Sequence, residues 1–472
     1  MNIQKKEYFC EIILKNNTNA MPKVVKIKKG LDIKLKGTAE KVCVSADKAR
    51  LFAVKPPDFV GLTPKMKVKP EEIVKAGTPL FFDKYHPEIQ FTSPVSGTVK
   101  SVNRGERRRI LEVVIEASED QEFVSFPKGD PSSMSTDQIK ENLLQSGLWP
   151  FLVQRPYGVV ADPGAKPKAI FISGFDSAPM GPDYDLIMKD QDEGFAAGIE
   201  VMKKLTEGKV HLSLKSGFPV CSAFADLPGV EYHFFKGPHP AGLVGVQINS
   251  IDPINKGDIV WTIGPQHVAL IGKLFLEGRL VPEIVVALAG SRINKPKYFR
   301  TQLGTSVNTI LNGAITDDEM EPRIISGNVL TGTQISSDGY LGYYDSLISV
   351  ISEGNYYDLF GWILPGLKKY SKSRTYFSWL SPNKEWDIDT NMKGGQRAFV
   401  MTGEYEKVLP MDILPVQLLK AILVEDIDKM EQLGIYEVLE EDLALCEFVC
   451  TTKNDVQHIL RQGLDLMRKE MS

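Results

Sequence analysis

The chain has 472 residues, too many for one ordinary hydrophobic core, so about three or four domains are expected. Its 43% hydrophobic and 25% charged residues fit a globular chain in water, and a formal net charge of −4 lacks the basic excess of a nucleic-acid binder. No run reaches the roughly 18 apolar residues of a membrane span, because the best candidates, 259–276 and 283–290, are broken by Gly, Pro, Gln, His or charges.

Residues 1–20 hold basic residues and a short apolar run, 8–14, interrupted by Glu11 and followed by no small-residue cleavage site. That is a poor secretory signal, so the stretch is expected to be a disordered extension of a cytoplasmic protein. Cys10, Cys43, Cys221, Cys446 and Cys450 are an odd and sparse set for a disulfide framework. An N-terminal β region is expected over 21–135. Within it, 23–68 reads as short strands turning at Gly30, Gly37 and Gly61, and 68–117 as compact hairpins. Gly77 and Gly97 lie between runs of β-formers, where turns with positive φ are predicted. Lys84 falls near one hairpin tip, and Arg104, Arg107, Arg108 and Arg109 fall at another. Both groups read as solvated surface, with a docking patch as the alternative for the arginines.

From Thr136 the apolar spacing turns helical through Ile139, Leu143 and Leu144. Strands at 168–173, 209–214 and 259–264 then alternate with helices at 193–205 and up to 276. This alternation predicts a mostly parallel sheet in a Rossmann-like α/β domain over 136–278. Short strands around one brief helix, 306–311, predict a β-grasp unit over 279–353. An aromatic-rich connecting region, 354–412, holds Tyr356, Tyr357, Phe360, Trp362, Tyr370, Tyr376, Phe377, Trp379 and Trp386. The tail, 413–472, reads as helical, with Val456, Ile459, Leu460, Leu464 and Met467 on one face of the last helix and Asn454 at its cap. The fold class is a multidomain α/β chain with a helical C-terminus.

Seven motifs in a fixed order carry a family resemblance. They are Lys29-Gly30-Leu31-Asp32, Phe91-Thr92-Ser93-Pro94, Ser146-Gly147-Leu148-Trp149, Gly237-Pro238-His239-Pro240-Ala241-Gly242, Arg323-Ile324-Ile325-Ser326-Gly327, Leu359-Phe360-Gly361-Trp362 and Glu440-Glu441-Asp442-Leu443-Ala444-Leu445-Cys446. With them the chain resembles the A subunits of sodium-translocating NADH:quinone reductases. That family is related to the C subunit of the Rnf complex and to the flavin-binding subunit of respiratory complex I. The hairpin unit is similar to the barrel-sandwich fold of biotinyl and lipoyl carriers, and 279–353 to the SLBB form of the β-grasp. In carriers a tip lysine bears the cofactor, but the loop after Lys84 is long and contains Pro87, so Lys84 reads as a surface lysine.

The resemblance implies a peripheral subunit on the cytoplasmic side of the bacterial inner membrane. Its partners would be the membrane subunits and the NADH-oxidising flavoprotein of a six-subunit complex that reduces a quinone and drives Na⁺ outward. Flavins and an iron–sulfur centre belong to those partners, and this chain is expected to bind no cofactor or metal and to hold no catalytic residue. Where flavin-binding relatives have a glycine-rich phosphate loop, the stretch after Leu148 reads Trp149-Pro150-Phe151-Leu152-Val153-Gln154-Arg155-Pro156-Tyr157-Gly158, in which proline removes a donor and Trp and Phe occupy space. Cys446 and Cys450 match only the end of a cluster-binding run, and a 4Fe–4S cluster needs four thiolates. They read as buried small apolar residues. The candidate quinone-proximal residues are Gly237, His239, Pro240 and Gly242, where a histidine and freed backbone amides suit a quinone carbonyl. The alternative there is a rigid loop whose His239 caps local backbone. Two other readings of the whole chain stay open, an Rnf-type electron carrier and a purely structural adaptor. Partner contact is expected through 354–405, with Lys368, Lys369, Lys372 and Arg374 beside its aromatics.

Overall fold

The computed structural model describes residues 24–364 and 366–471, and the expected extension 1–20 lies outside them. Four sheets and a C-terminal group of helices share one hydrophobic core that runs from Ile27 to Met467.

The largest sheet has seven strands in the order Val24–Lys26, Val230–Lys236, Lys209–Lys215, Ala169–Ser173, Val260–Thr262, Val153–Arg155 and Val159–Val160. The first five run parallel and the last two turn antiparallel. Ala169–Ser173 reads Ala-Ile-Phe-Ile-Ser and is almost wholly buried, the continuous apolar run of a strand covered on both faces. Helices Asp192–Leu205 and Pro265–Glu277 pack closely on each other. Lys209–Lys215 and Val260–Thr262 flank Ala169–Ser173 on opposite sides, so the winding reverses between Ala169–Ser173 and Val260–Thr262. In open α/β sheets, ligands bind at the carboxyl ends of strands beside such a reversal. The edge strand Val24–Lys26 pairs with Phe234–Lys236. Sequence alone groups it with the N-terminal β region, because a parallel partner so far along the chain leaves no local trace.

Two small antiparallel sheets form the hairpin unit. One holds Leu51–Val54, Ile110–Ala117, Gly97–Arg104 and Ile73–Val74, and the other Pro64–Met66, Pro79–Asp83 and Gln90–Thr92. Gly77 has the expected positive φ of 93°. Gly97 does not turn the chain. It opens a strand, and glycine is needed there because a Cβ would lie 2.0 Å from the Glu116 carbonyl oxygen of the paired strand. Lys84 is exposed after Pro79–Asp83, and Arg104, Arg107, Arg108 and Arg109 are exposed between Gly97–Arg104 and Ile110–Ala117.

The six-stranded sheet runs Thr333–Ile335, Pro322–Ser326, Leu347–Ser352, Glu283–Ala289, Lys297–Gln302 and Cys43–Ser45, with the short helix Asn308–Leu311 after Lys297–Gln302. Cys43–Ser45 is a second strand that the start of the chain gives to a later sheet. Helix Thr136–Ser146 opens on a capping box between Ser135 and Gln138 and closes at Gly147, φ 76°. The tail holds helices Tyr405–Val408, Pro415–Leu423, Ile427–Gln432, Ala444–Val449 and Val456–Met471. The last buries Val456, Ile459, Leu460, Leu464 and Met467 together, as their spacing predicts. Its cap is Asp455, whose Oδ1 accepts from His458 N–H at 3.2 Å. Asn454 turns away and donates from Nδ2 to Thr452 Oγ1 at 2.6 Å.

Candidate functional site

The motif Gly237–Gly242 follows Val230–Lys236 and leads into helix Val244–Ile251. Its glycines allow two close approaches: a Cβ at Gly237 would lie 2.3 Å from Ile27 O, and one at Gly242 would lie 2.6 Å from Ser177 N. The His239–Pro240 peptide is cis. Ala241 N–H donates to Pro238 O and Leu243 N–H to Pro240 O, both at 2.9 Å, so the turn is closed on itself.

His239 is 2% exposed. Its backbone N–H donates to Asp32 Oδ1 at 2.8 Å, and its carbonyl accepts from Leu31 N–H at 2.8 Å. Its Nδ1 lies 3.0 Å from Ser177 Oγ, which also accepts from Gly242 N–H at 2.8 Å. The serine proton is thereby free for Nδ1, an arrangement that favours the imidazole hydrogen on Nε2. Burial holds the imidazole down to about 4, so the ring is neutral near pH 7. Gly237, His239, Pro240 and Gly242 thus share one rigid turn. Ser177 and Asp32, its partners from other segments, are not visible as partners in the sequence. Ser177 follows Ala169–Ser173, so the turn stands at the carboxyl edge of the parallel sheet. Two cavities lie elsewhere. One is lined by Lys55, Asp58, Thr92 and Tyr343, and the other, of about 660 Å³, by Lys67, Gln90, Phe126 and Leu144.

A second cluster joins the tail to the same sheet. Arg155 is 1% exposed and donates from Nη1 to Asp442 Oδ2 at 3.0 Å and from Nη2 to Glu441 Oε1. Asp442 Oδ2 also accepts from Leu439 N–H at 2.9 Å. Gly245, in the first turn of Val244–Ile251, leaves room for this pair, since a Cβ there would lie 2.3 Å from Asp442 Oδ1. Burial pushes the Glu441 carboxyl up to about 7, against the pull of Arg155. Beside it Arg461 pairs with Glu440. The Glu440-Glu441-Asp442 motif is therefore a clamp, and only the fold brings Arg155 to it.

The stretch after Leu148 is packed core. Trp149 is fully buried and donates from Nε1 to Ala161 O at 2.7 Å. Phe151 stacks on His267 at 4.1 Å and on Tyr343 at 4.6 Å between centroids. The two tail cysteines differ from each other. Cys446 matches the apolar expectation: it is fully buried, and burial pushes its thiol well up. Cys450 is also buried, but its sulfur accepts from Tyr405 Oη at 2.9 Å and Asn454 N–H at 3.3 Å and lies 3.2 Å from Thr452 Oγ1. Burial alone would raise this thiol; the hydrogen bonds from Thr452, Tyr405 and Asn454 outweigh it and hold the thiol below its usual range. Among the described residues no group of three or more His, Cys, Asp or Glu converges to hold a metal ion.

Comparison with known proteins bears on the whole chain. Three family profiles match in order: an NqrA N-terminal barrel-sandwich hybrid domain over 25–118, an NqrA second alpha/beta domain over 134–280 and an NQRA C-terminal domain over 285–337. Among solved structures, a chain of an NAD+-reducing [NiFe]-hydrogenase in the air-oxidized state overlaps 47% of this chain and 48% of its own, at 12% identity and a TM-score of 0.32, too slight a likeness to carry weight. Relatives named as the A subunit of Na(+)-translocating NADH-quinone reductase match far more fully. The protein of Yersinia pestis bv. Antiqua (strain Angola) is 41% identical over 450 residues, 95% of this chain and 100% of that one. That of Photorhabdus laumondii is 41% identical over 456 residues, and that of Neisseria meningitidis serogroup A is 42% identical over 451, with the same coverage. Likeness of this extent, from the barrel-sandwich hairpins to the tail clamp, means that the chain belongs to the NqrA family, the A subunits of Na(+)-translocating NADH-quinone reductases.

Proposed function

We propose that this chain is a peripheral subunit of a membrane complex that oxidises NADH, reduces a quinone and moves Na⁺ outward. The observation that carries this is identity of 41–42% along the full length of relatives so named. Among the described residues no helix is long and apolar enough to cross a membrane, which favours attachment through the complex's other subunits at the cytoplasmic face. The proposed partners are the membrane subunits and the NADH-oxidising flavoprotein. The test is recovery of the chain from membranes followed by identification of what comes with it. Recovery free of every other reductase subunit would sink the proposal.

Within the complex we assign this chain no flavin and no cluster of its own. Trp149 and Phe151 support that assignment, since they occupy the stretch that a phosphate loop would need. We divide the chain into a 21–135 β region, a Rossmann-like 136–278 domain, a β-grasp over 279–353, a connecting region over 354–412 and a helical 413–472 domain. The reversal of winding beside Ala169–Ser173 supports the second of these, and the short strands packed around Asn308–Leu311 support the third.

We place Gly237, His239, Pro240 and Gly242 nearest the quinone. The support is their position at the carboxyl edge of a parallel sheet, where a neutral imidazole stands in a fixed turn. One observation favours a second reading, in which the chain braces the membrane subunits without meeting quinone: His239 is 2% exposed, with Nδ1 and both backbone polar groups engaged inside the fold. Photo-crosslinking of the intact complex with an azido-quinone separates the two. Label on peptides spanning 237–242 supports the first, and label confined to other subunits supports the second.

A further inference from the structure

One surface has no role in that function as stated. Phe360, Trp362, Ile363, Leu367, Phe377 and Trp379 are all exposed, with Trp362 at 48%, Trp379 at 51% and Leu367 at 74%. They are not the loose ends of a slack segment. Tyr376 is buried and its hydroxyl donates to Gly361 O, while Lys369 pairs with Asp358 at 2.7 Å. Ser371 N–H donates to Ser378 Oγ at 3.2 Å, and Lys384 Nζ donates to Leu367 O at 3.3 Å. A hydrogen-bonded knot from Asp358 to Lys384 therefore holds its large apolar side chains outward, in water, where an apolar cluster is stable only if something covers it.

Charge identifies the cover. From Leu359 to Lys384 there are five basic residues, Lys368, Lys369, Lys372, Arg374 and Lys384, and no acidic one, in a chain whose net charge is −4. All but Lys369 are exposed. Four of the five are lysines. Protein–protein interfaces are depleted in lysine, whereas a bilayer surface accepts it: the long stem lies along apolar surface and the ammonium reaches the headgroups. Tryptophan and phenylalanine beside lysine are the composition of segments that lie in the headgroup region of anionic membranes.

We propose that the knot Asp358–Lys384 rests on the anionic lipid surface of the membrane, its aromatic and aliphatic side chains entering the acyl boundary and its lysines meeting lipid phosphates. This rests on the reading of the chain as a subunit of a membrane-bound reductase. The test is co-sedimentation of the full chain with vesicles of phosphatidylcholine, alone or mixed with phosphatidylglycerol. Binding is expected only to the mixed vesicles and weakens with salt. Each exposed basic residue near the surface supports about a fivefold gain in partitioning, so Lys368→Ser with Lys372→Ser lowers it roughly 30-fold. Trp362→Ser with Trp379→Ser abolishes it, while thermal unfolding of both double variants stays at the parent temperature because the replaced side chains are exposed. Equal binding to neutral and mixed vesicles, or unchanged binding by the variants, overturns the proposal. So does binding confined to vesicles that carry the reductase's membrane subunits, which assigns the surface to a protein. The functional reading fails separately: it falls if the chain leaves membranes without the other subunits, whatever pure lipid does.

Discussion

Arg155 is the residue whose loss the structure makes most costly. Its guanidinium is buried between Asp442, whose side chain is fully buried, and Glu441, which keeps 37% of its side-chain surface exposed. Arg155→Met removes the cation and fills its volume with an apolar stem, so the buried Asp442 charge is left uncompensated. Removing one partner of a buried pair costs about 3–5 kcal/mol, and the leading contribution here is Asp442, since Glu441 regains water. The cost depends on pH with a definite sign. Glu441 titrates near 7 in the fold, above its ordinary 4.5, so its contribution to stability is complete below the ordinary value and is lost as pH rises through about 7. Without Arg155 the ionised carboxyl is worse placed still, so the deficit of the variant is larger at about pH 8 than at about pH 5.5. Denaturant unfolding followed by tryptophan fluorescence measures it, with Trp149 and Trp261 in edge contact beside the strand that carries Arg155. Adding Asp442→Asn, which keeps the acceptor for Leu439 N–H but discards the charge, recovers more than half of the loss. A deficit below about 1 kcal/mol, or one equal at both pH values, would refute a buried clamp.

Other outcomes follow from the same geometry. The purified chain is expected to be colourless, and near-stoichiometric flavin or iron in its absorbance and metal analysis would contradict the cofactor-free assignment. Lys84→Ala leaves quinone reduction by the whole complex intact, whereas a lipoyl or biotinyl mass on Lys84 would show a carrier. Cys446→Ser places a hydroxyl in an apolar site and costs about 1–3 kcal/mol; Cys450→Ser costs less, because Tyr405, Thr452 and Asn454 already surround that position, and paired thermal melts rank the two. His239 and His267 are held neutral by burial, down to about 4 and about 3, so the stability they support is present above pH 6.5 and lost as pH falls through those values; a pH series of melting temperatures tests this, and His267→Gln flattens the acid limb. Trp386 is 4% exposed, so Trp386→Ala costs about 3–5 kcal/mol in stability, whereas Trp379→Ala changes it by less than about 0.5 kcal/mol.

Those contrasts show which parts of the molecule the sequence makes legible. Helix Thr136–Ser146 announces itself by Ser135 and Gln138 three residues apart, and the last helix by one apolar face; both signals are local, and both describe the structure. The cap of the last helix is misplaced by one residue because Asn454 and Asp455 are equally good cap types, and only the demand of Thr452 for a donor decides between them. Gly97 has a turn glycine's neighbours but a strand glycine's task, set by a carbonyl on the opposite strand. Arg155 lies 287 residues from Asp442, and no periodicity records such a pair. The same holds for Trp386, which shares a stretch with Trp362 and Trp379 but packs inward against Tyr370. The residues of the histidine turn are legible as a motif, while Ser177 and Asp32, which fix them, are not.

The start of the described chain ties these parts together. Val24–Lys26 is an edge of the seven-stranded sheet and Cys43–Ser45 an edge of the six-stranded one, so the segment between them is stretched across two sheets. Along that segment Leu31 and Asp32 hold both backbone polar groups of His239. A few residues on, Lys34 O accepts from Trp386 N–H at 2.8 Å and Lys36 N–H donates to Trp386 O at 3.0 Å, which anchors the end of the aromatic region. Six residues, Leu31 to Lys36, therefore bridge the histidine turn and the base of the basic, apolar knot by backbone hydrogen bonds at both ends. Backbone pairing of this kind leaves little freedom between its ends, since buried N–H and C=O groups give up their partners only at a cost of about 1–3 kcal/mol each. A knot seated on lipid would for that reason set the height of the histidine turn above the membrane, and the strap explains why Gly30 and Asp32 stand in one motif with the turn they hold.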